Sequence, residues 1–180
     1  MKLLMIRHGQ TDANKNEIVY GHLDLPINEE GAKQVEIMAE QLSAHHVDVI
    51  YASPQTRTRQ TAEVVSAKLN LPIVYKDELV ERDFGSLNGQ SWKDILEKYG
   101  PDYRHRDFRQ EYDYHEFGGE DVADVKKRLR VFLDFVKQTH TDDQVILVIT
   151  HAGIIRLMYH EYIDVTEKDL DNETIHEFIV

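Results

Sequence analysis

The sequence predicts an α/β fold, a three-layer α/β/α sandwich with a mostly parallel central sheet and an inserted helical or lid segment. Three observations predict it. Leu3-Leu4-Met5-Ile6 and Val145-Ile146-Leu147-Val148-Ile149 are charge-free apolar runs, the pattern of strands covered on both faces, as parallel strands are. Amphipathic segments alternate with strand-like runs, which implies helices layered on a sheet. The rhythm breaks once, from about Arg82 to Gly119, where the chain reads as an insertion. A chain of 180 residues suffices for one domain with a sizeable core, here spanning 1–180 with a cap or lid at about 82–119.

Each element has its own signal. After the first strand, Asn28 is a helix N-cap, with Glu29 and Glu30 in the first turn where the helix dipole favours anions. Val35, Met38, Ala39 and Leu42 form that helix's apolar stripe. Val47–Tyr51 reads as the next strand. Ser53-Pro54 reads as a helix start, a capping hydroxyl followed by proline, and Asn70 before Pro72 stops that helix at about Leu69. Pro72–Tyr75 is a further strand. Val122, Val125, Leu129, Phe132 and Val136 mark the clearest amphipathic helix. A last helix follows Gly153 through Ile154, Leu157 and Met158, and Ile175–Val180 closes the chain as a strand.

Composition excludes several functions. Lys plus Arg is 21 and Asp plus Glu is 33, a net charge of −12, which argues against nucleic acid and against an anionic membrane surface as partners. A local cluster of cations can still hold a small anion, since charges are screened beyond about 8 Å at physiological salt. With no cysteine, thiolate catalysis and Cys-based zinc sites fall away. The first apolar run is too short for a signal peptide or membrane span, so a cytoplasmic location is expected.

Four segments place chemical groups at strand ends or helix starts. Arg7-His8-Gly9 leaves the first strand at its carboxyl edge, where open α/β sheets form their ligand crevice. Arginine offers a fixed fork of donors to phosphate oxygens, histidine a nucleophile, and glycine a close backbone approach to a bound group. Arg57 lies one turn into the helix after the second strand. Glu81 precedes a glycine-containing turn, and Thr150-His151-Ala152-Gly153 repeats the strand–histidine–glycine design. Singly, each residue fits an ordinary structural role. Together they supply cations for equatorial oxygens, an in-line nucleophile and an acid for a leaving oxygen, which is what phosphoryl transfer needs.

In these segments the chain resembles the histidine phosphatase superfamily, also called phosphoglycerate mutase-like. Arg7-His8-Gly9 resembles its signature, followed by Asn14. Gly21 to Gly31 resembles its next block, Ser53 to Ala62 the second-arginine block, Glu81 with Phe84-Gly85 and Gly89 the acid block, and Thr150 to Gly153 the second-histidine block. The resemblance implies a phosphomonoester hydrolase acting on a small phosphorylated metabolite. His8 would accept the phosphoryl group, Glu81 would serve as acid and then base, and Arg7, Arg57, His151 and Asn14 would hold the phosphoryl oxygens. Glu81 is expected to carry a proton when substrate arrives. No cofactor and no metal are implied, and the expected partner is a small-molecule phosphate ester, with a homodimer left open.

Alternatives are a phosphoglycerate mutase, for which 180 residues leave little room, and a phosphate-binding module without turnover, which the presence of both His8 and Glu81 disfavours. Gly118-Gly119-Glu120 resembles a block of phosphatase members, and the compact form is similar to α-ribazole-phosphate phosphatases and broad-specificity phosphatases. A metal hydrolase would draw on His22, Asp24, His45, His46, His151 and His160, but no His-Glu-x-x-His run is present. Gln55 and Thr58 stand where small or aliphatic residues are more usual, and Tyr20 where a polar residue is common before Gly21. These bear on substrate preference. So do the aromatics and arginines between Tyr99 and Phe117, among them Phe108, Arg104, Arg106 and Arg109, which either contact the substrate's organic part or pack as a cap.

Overall fold

The computed structural model describes residues 1–165 and 170–180. The strands are β1 (Lys2–Arg7), β2 (Val49–Ala52), β3 (Ile73–Tyr75), β4 (Val145–Thr150) and β5 (His176–Ile179). They form one sheet in the order β3-β2-β4-β1-β5. Pairing is parallel throughout except at β5, which runs antiparallel along β1.

Side-chain alternation along the central strands builds two cores. Leu4 and Ile6 of β1 with Leu147 and Ile149 of β4 face one side, where they meet Met38, Ala39 and Leu42 of the helix Glu29–Leu42 and Ala62 and Val65 of the helix Thr56–Leu69. Leu3, Met5, Ile146 and Val148 face the other, against Leu129, Phe132 and Val136 of Val122–Thr139 and Ile154, Leu157 and Met158 of Ala152–Ile163. Each fully buried Leu, Ile or Phe contributes roughly 1.5–3 kcal/mol. Because both faces are covered, the strands carry no polar residue inside their runs. The helices, in chain order, are α1 (Asp12–Lys15), α2 (Glu29–Leu42), α3 (Thr56–Leu69), α4 (Trp92–Tyr99), α5 (Asp102–Phe108), α6 (Val122–Thr139) and α7 (Ala152–Ile163). No helix of the described residues is long and apolar enough to cross a membrane.

Several local expectations shift. Asn28 does cap α2, its side chain accepting from the Gly31 N–H at 2.8 Å. Ser53 does not cap α3: that helix starts at Thr56, and the carboxylate of Asp24 accepts from both the Thr56 N–H (2.6 Å) and its hydroxyl (2.7 Å). A cap supplied from a distant loop leaves no local sequence signal, and it frees Ser53 for the site below. The second strand begins at Val49 instead of Val47, because Asp48 turns its carboxylate onto the Val145 N–H (2.7 Å). Helix α7 begins at Ala152, with His151 in the N-cap position.

Strand register places the chemistry. Arg7 pairs with Thr150, and Ala52 with Ile149. The His8 N–H then donates to the Thr150 carbonyl (3.1 Å) and the Ser53 N–H to the Ile149 carbonyl (3.0 Å). Three adjacent parallel strands therefore end level, and His8, Ser53 and His151 leave the sheet side by side. Over this edge lies the inserted stretch, whose α4 and α5 are joined to the sheet by 3₁₀ turns at Gly85–Leu87 and His115–Phe117.

The glycine of Arg7-His8-Gly9 serves packing, not a bound group. A Cβ on Gly9 would lie 2.6 Å from the Gly31 carbonyl oxygen and 2.8 Å from Val35 Cγ2, so its absence lets the first turn of α2 lie against the strand exit. Gly9→Ala is expected to lower the free energy of unfolding by about 1–3 kcal/mol through overpacking, read from urea denaturation; an unchanged midpoint would contradict this packing role.

Candidate active site

His8 is 2% exposed and its Nδ1 lies 2.8 Å from the carbonyl oxygen of Gly9. A carbonyl can only accept, so Nδ1 carries the proton and the lone pair sits on Nε2. Burial, then the charges of Arg57 and Arg7, push the imidazole pKa well below 6.5. His8 is thus a neutral base with its free nitrogen fixed by the main chain. Nε2 has one neighbour, the Tyr20 hydroxyl at 3.4 Å.

Arg57 is fully buried. Its Nη1 donates to the Leu23 carbonyl (2.9 Å), Nη2 to the Gly21 carbonyl (2.8 Å) and Nε to His151 Nδ1 (3.3 Å). Since Nδ1 of His151 accepts, its Nε2 carries the proton and donates to the Ser53 hydroxyl at 2.9 Å. Burial, then Arg57 and the remaining nearby basic groups, also push the His151 pKa well below 6.5. The two imidazoles lie 5.2 Å apart between ring centroids.

Glu81 is held by the backbone. One carboxylate oxygen accepts from the Arg82 N–H (3.0 Å), the other from the Gly153 N–H (3.1 Å). Burial raises its pKa, but the Arg82 charge, both backbone bonds and Arg57 outweigh that, and Glu81 titrates below its ordinary range. These groups favour the carboxylate form, so the proton expected on Glu81 when substrate arrives has to come with the substrate's own charge. Its loop is pinned from behind. The His22 ring bonds the Glu81 carbonyl (2.8 Å), Glu120 accepts from the Asp83 N–H (2.8 Å), and Arg128 donates to Glu120 and to the carbonyls of Glu78 and Val80.

In front of these groups opens a cavity of about 330 Å³, within the range of small-ligand pockets. Of the predicted set, Arg7, Asn14 and Glu81 line it, while His8, Arg57 and His151 lie buried behind. Asn14 turns its carboxamide oxygen to Thr11, accepting from the Thr11 N–H and hydroxyl (both 3.1 Å), which leaves its Nδ2 donor. Arg7 Nη1 donates to the Leu170 carbonyl (2.8 Å).

Of the insertion's aromatics and arginines singled out in the sequence, Phe108 and Arg104 line the cavity. Arg82, Arg156, Trp92 and Asp107 line it too and escaped the sequence reading. Arg82 forms a buried ion pair with Asp107 at 2.6 Å, which ties α5 to the acid loop. Burial, then the Arg82 charge, lowers the Arg156 pKa to about 10. Helical period could have found Arg156, four residues past Ala152 on the same face of α7; nothing local marks Asp107. The insertion's basic residues divide. Arg104 lines the cavity, whereas Arg109 pairs with Asp102 and Glu111 at the surface, and Arg106 reaches the Glu111 carbonyl. Tyr112 and Tyr114 are buried in the core, and Tyr99, Tyr103 and Phe117 pack against it. Of the metal-ligand candidates, His22 is on the acid loop, Asp24 caps α3, His46 pairs with Asp48 and His151 is in the site. They do not converge. Among the described residues, ligand atoms close enough to share an ion occur in His115, Asp121 and Asp124.

This geometry, two buried histidines at neighbouring strand exits with a buried arginine and a clamped carboxylate, defines a class of protein. Residues 3–178 match the histidine phosphatase superfamily, branch 1, and the chain belongs to that family. It is 35% identical over 159 residues to phosphoserine phosphatase 1 of Hydrogenobacter thermophilus, covering 88% of this chain and 74% of that one. Identity to a metal-independent phosphoserine phosphatase of Arabidopsis thaliana is 30% over 161 residues, covering 88% and 67%. A mycobacterial glucosyl-3-phosphoglycerate phosphatase solved with VO3 superposes with a TM-score of 0.87 at 24% identity, over 98% of this chain and 91% of that one. The protein is a phosphatase of small phosphorylated metabolites.

Two outcomes follow from the site's packing and charge. A Cβ on Gly153 would collide with Glu81 Oε1 and Arg82 Nη1. Gly153→Ala should therefore displace the carboxylate and lower kcat on the order of 100-fold while the fold persists by circular dichroism; wild-type kcat would refute this placement. His8 and His151 have folded pKa values below their unfolded value of 6.5, so the unfolded chain binds more protons as pH drops. Stability is present above pH 6.5 and lost below it, by up to about 1.4 kcal/mol per pH unit for each group. Urea unfolding between pH 6.5 and 5 should show a shallower acid loss in His151→Asn than in the wild type; equal slopes would contradict a neutral buried His151.

Proposed function

We propose that this phosphatase works through a phosphohistidine on His8, with Glu81 as proton carrier. The single observation that carries this is the His8 ring: the Gly9 carbonyl accepts from Nδ1, which leaves the lone pair on Nε2, 3.4 Å from the hydroxyl of the cavity-lining Tyr20. In the first step the Nε2 lone pair bonds phosphorus and the ester P–O bond breaks, the leaving oxygen taking a proton from Glu81. In the second, Glu81 takes a proton from water, the water oxygen bonds phosphorus, the N–P bond breaks, and His8 is neutral again.

Arg7 and Asn14 at the cavity wall, with Arg57 and His151 behind, are the groups we assign to the phosphoryl oxygens. Their hydrogen bonds to protein carbonyls and to one another pre-set their direction, so little reorganisation is needed as charge develops. The depressed pKa of Glu81 sets the proton source. A phosphate monoester has its second pKa near 6, so a substrate monoanion can bring the proton that Glu81 lacks in the empty site. The phosphate charge then favours the protonated carboxyl.

We read residues 1–180 as one catalytic domain with about 82–119 as its lid. The organic part of the substrate faces Trp92, Arg104, Phe108 and Arg156. Such a mixed basic and aromatic wall suits a compact metabolite with a second anionic or polar group, which is consistent with relatives named for phosphoserine. The experiment is a panel of phosphoserine, 3-phosphoglycerate, sugar phosphates, a nucleotide and α-ribazole phosphate, with wild type and His8→Ala, with and without a bisphosphoglycerate primer. Wild type should release phosphate without primer, with kcat/KM highest for one compact ester. His8→Ala should fold normally and lose at least about 1,000-fold in kcat, the scale expected for loss of a covalent nucleophile. Near-wild-type turnover in that variant sinks the phosphohistidine reading, and primer-dependent isomerisation overturns the hydrolase reading.

A further inference from the structure

Tyr20 stands where the phosphoryl group has to be. Its hydroxyl oxygen is 3.4 Å from His8 Nε2, the separation at which reacting atoms of a near-attack complex sit, about 3–3.5 Å. Its ring meets the His8 ring edge-on, with centroids 6.3 Å apart. The Arg57 guanidinium lies over the same ring, 4.7 Å from its centroid. One side chain thus covers the nucleophile's lone pair and one face of the buried cation, two of the groups a phosphoryl group must reach.

We propose that Tyr20 is a gate: its side chain covers His8 Nε2 and a face of Arg57, where a phosphoryl group taken up by His8 would lie, and phosphate binds by displacing it. The inference rests on the reading of His8 as the phosphoryl acceptor. The moving part is the side chain, because the main chain on either side is tied down. The Val19 N–H donates to the Gln90 carbonyl (2.8 Å), the Gly89 N–H to the Val19 carbonyl (2.6 Å), and the Leu23 N–H to the Tyr20 carbonyl (2.6 Å). Gly21 leaves no room for a Cβ beside the Arg82 carbonyl and the Phe84 ring. Tyr20 itself lines the cavity, so its ring has open space to turn into.

The gate has a chemical purpose. While closed, the Tyr20 hydroxyl donates to Nε2 and its ring covers Arg57, so neither faces an empty pocket. Every phosphate group that binds has to displace the same contacts, and its affinity falls by the fraction of molecules in which Tyr20 has turned away. An ester recovers this through its organic part against Trp92, Arg104 and Phe108. Inorganic phosphate has no such part; the gate weakens both ligands by the same factor, so it lowers the absolute affinity of the product and leaves the ratio of ester to phosphate affinity unchanged.

The test is the dissociation constant of inorganic phosphate, measured by calorimetry on wild type, Tyr20→Phe and Tyr20→Ala, with melting temperatures as the check on folding. Tyr20→Phe removes the bond to Nε2 and keeps the ring on Arg57; Tyr20→Ala removes both. Losing one weak hydrogen bond and a cation–π contact corresponds to roughly a 3- to 10-fold change. The proposal stands if either folded variant binds phosphate at least about threefold more tightly than wild type. It is overturned if neither does, and weaker binding would instead mean that the hydroxyl helps to hold phosphate. Because the readout is binding and not turnover, it answers separately from His8→Ala: an active His8→Ala removes the acceptor reading, whereas unchanged phosphate affinity alongside a dead His8→Ala removes only the gate.

Discussion

The site depends on a permanent charge held inside the protein. Arg57 is fully buried and cannot lose its proton in any useful pH range, so everything around it must accept a hydrogen bond or stay uncharged. The carbonyls of Gly21 and Leu23 accept from the guanidinium, and His151 offers its Nδ1 lone pair. A second cation at about 4 Å would cost on the order of 4 kcal/mol at an effective dielectric constant of 20. Burial first, and then this charge, push both histidines toward the neutral form. Neutrality alone would leave the tautomers undefined. The Gly9 carbonyl settles that of His8, and the Arg57 Nε–H, donating to Nδ1, settles that of His151. The proposed nucleophile is prepared by burial and a nearby cation, which disfavour a second proton, and by a carbonyl that holds the remaining one on the far nitrogen.

The acid is prepared by the opposite means. Glu81 gains nothing from an apolar pocket; two backbone N–H groups and Arg82 keep it ionised. Its loop is fixed by Glu120 just before α6 and Arg128 within it, by His22 from the loop after Tyr20, and through the Arg82–Asp107 pair by the insertion. Breaking a buried pair of this kind typically costs 3–5 kcal/mol, since a charge is left uncompensated. The Arg82–Asp107 pair thus couples α5 mechanically to the loop that carries Glu81.

Much of this was legible in the sequence because strand ends are fixed by pattern. Two charge-free runs, each followed by a histidine, required those histidines to meet once the strands paired in register, and they do. Arg57 was readable as a cation at the start of the helix that follows the second strand, although that helix begins at Thr56 and Arg57 is its second residue. Long-range contacts left no trace. Ser53-Pro54 has the form of a helix start, yet Asp24 supplies the cap and Ser53 turns to His151. Gly9 suggested close approach to a ligand, and its constraint is Gly31 and Val35 behind it. The basic run of the insertion read as one cluster, but helix geometry sends Arg104 to the cavity and Arg109 to surface carboxylates. The ionised state of Glu81 could not be read, because it depends on two backbone amides and on a charge whose own orientation is set by Asp107.

The central claim is that His8 is held neutral with its proton on Nδ1, and nitrogen NMR of the histidine-labelled protein tests it most directly. The account predicts that His8 shows a protonated Nδ1 and a bare Nε2 at neutral pH, and that this pattern persists well below pH 6.5 for as long as the protein stays folded. A proton on Nε2, or a His8 titration centred near 6.5, would contradict it.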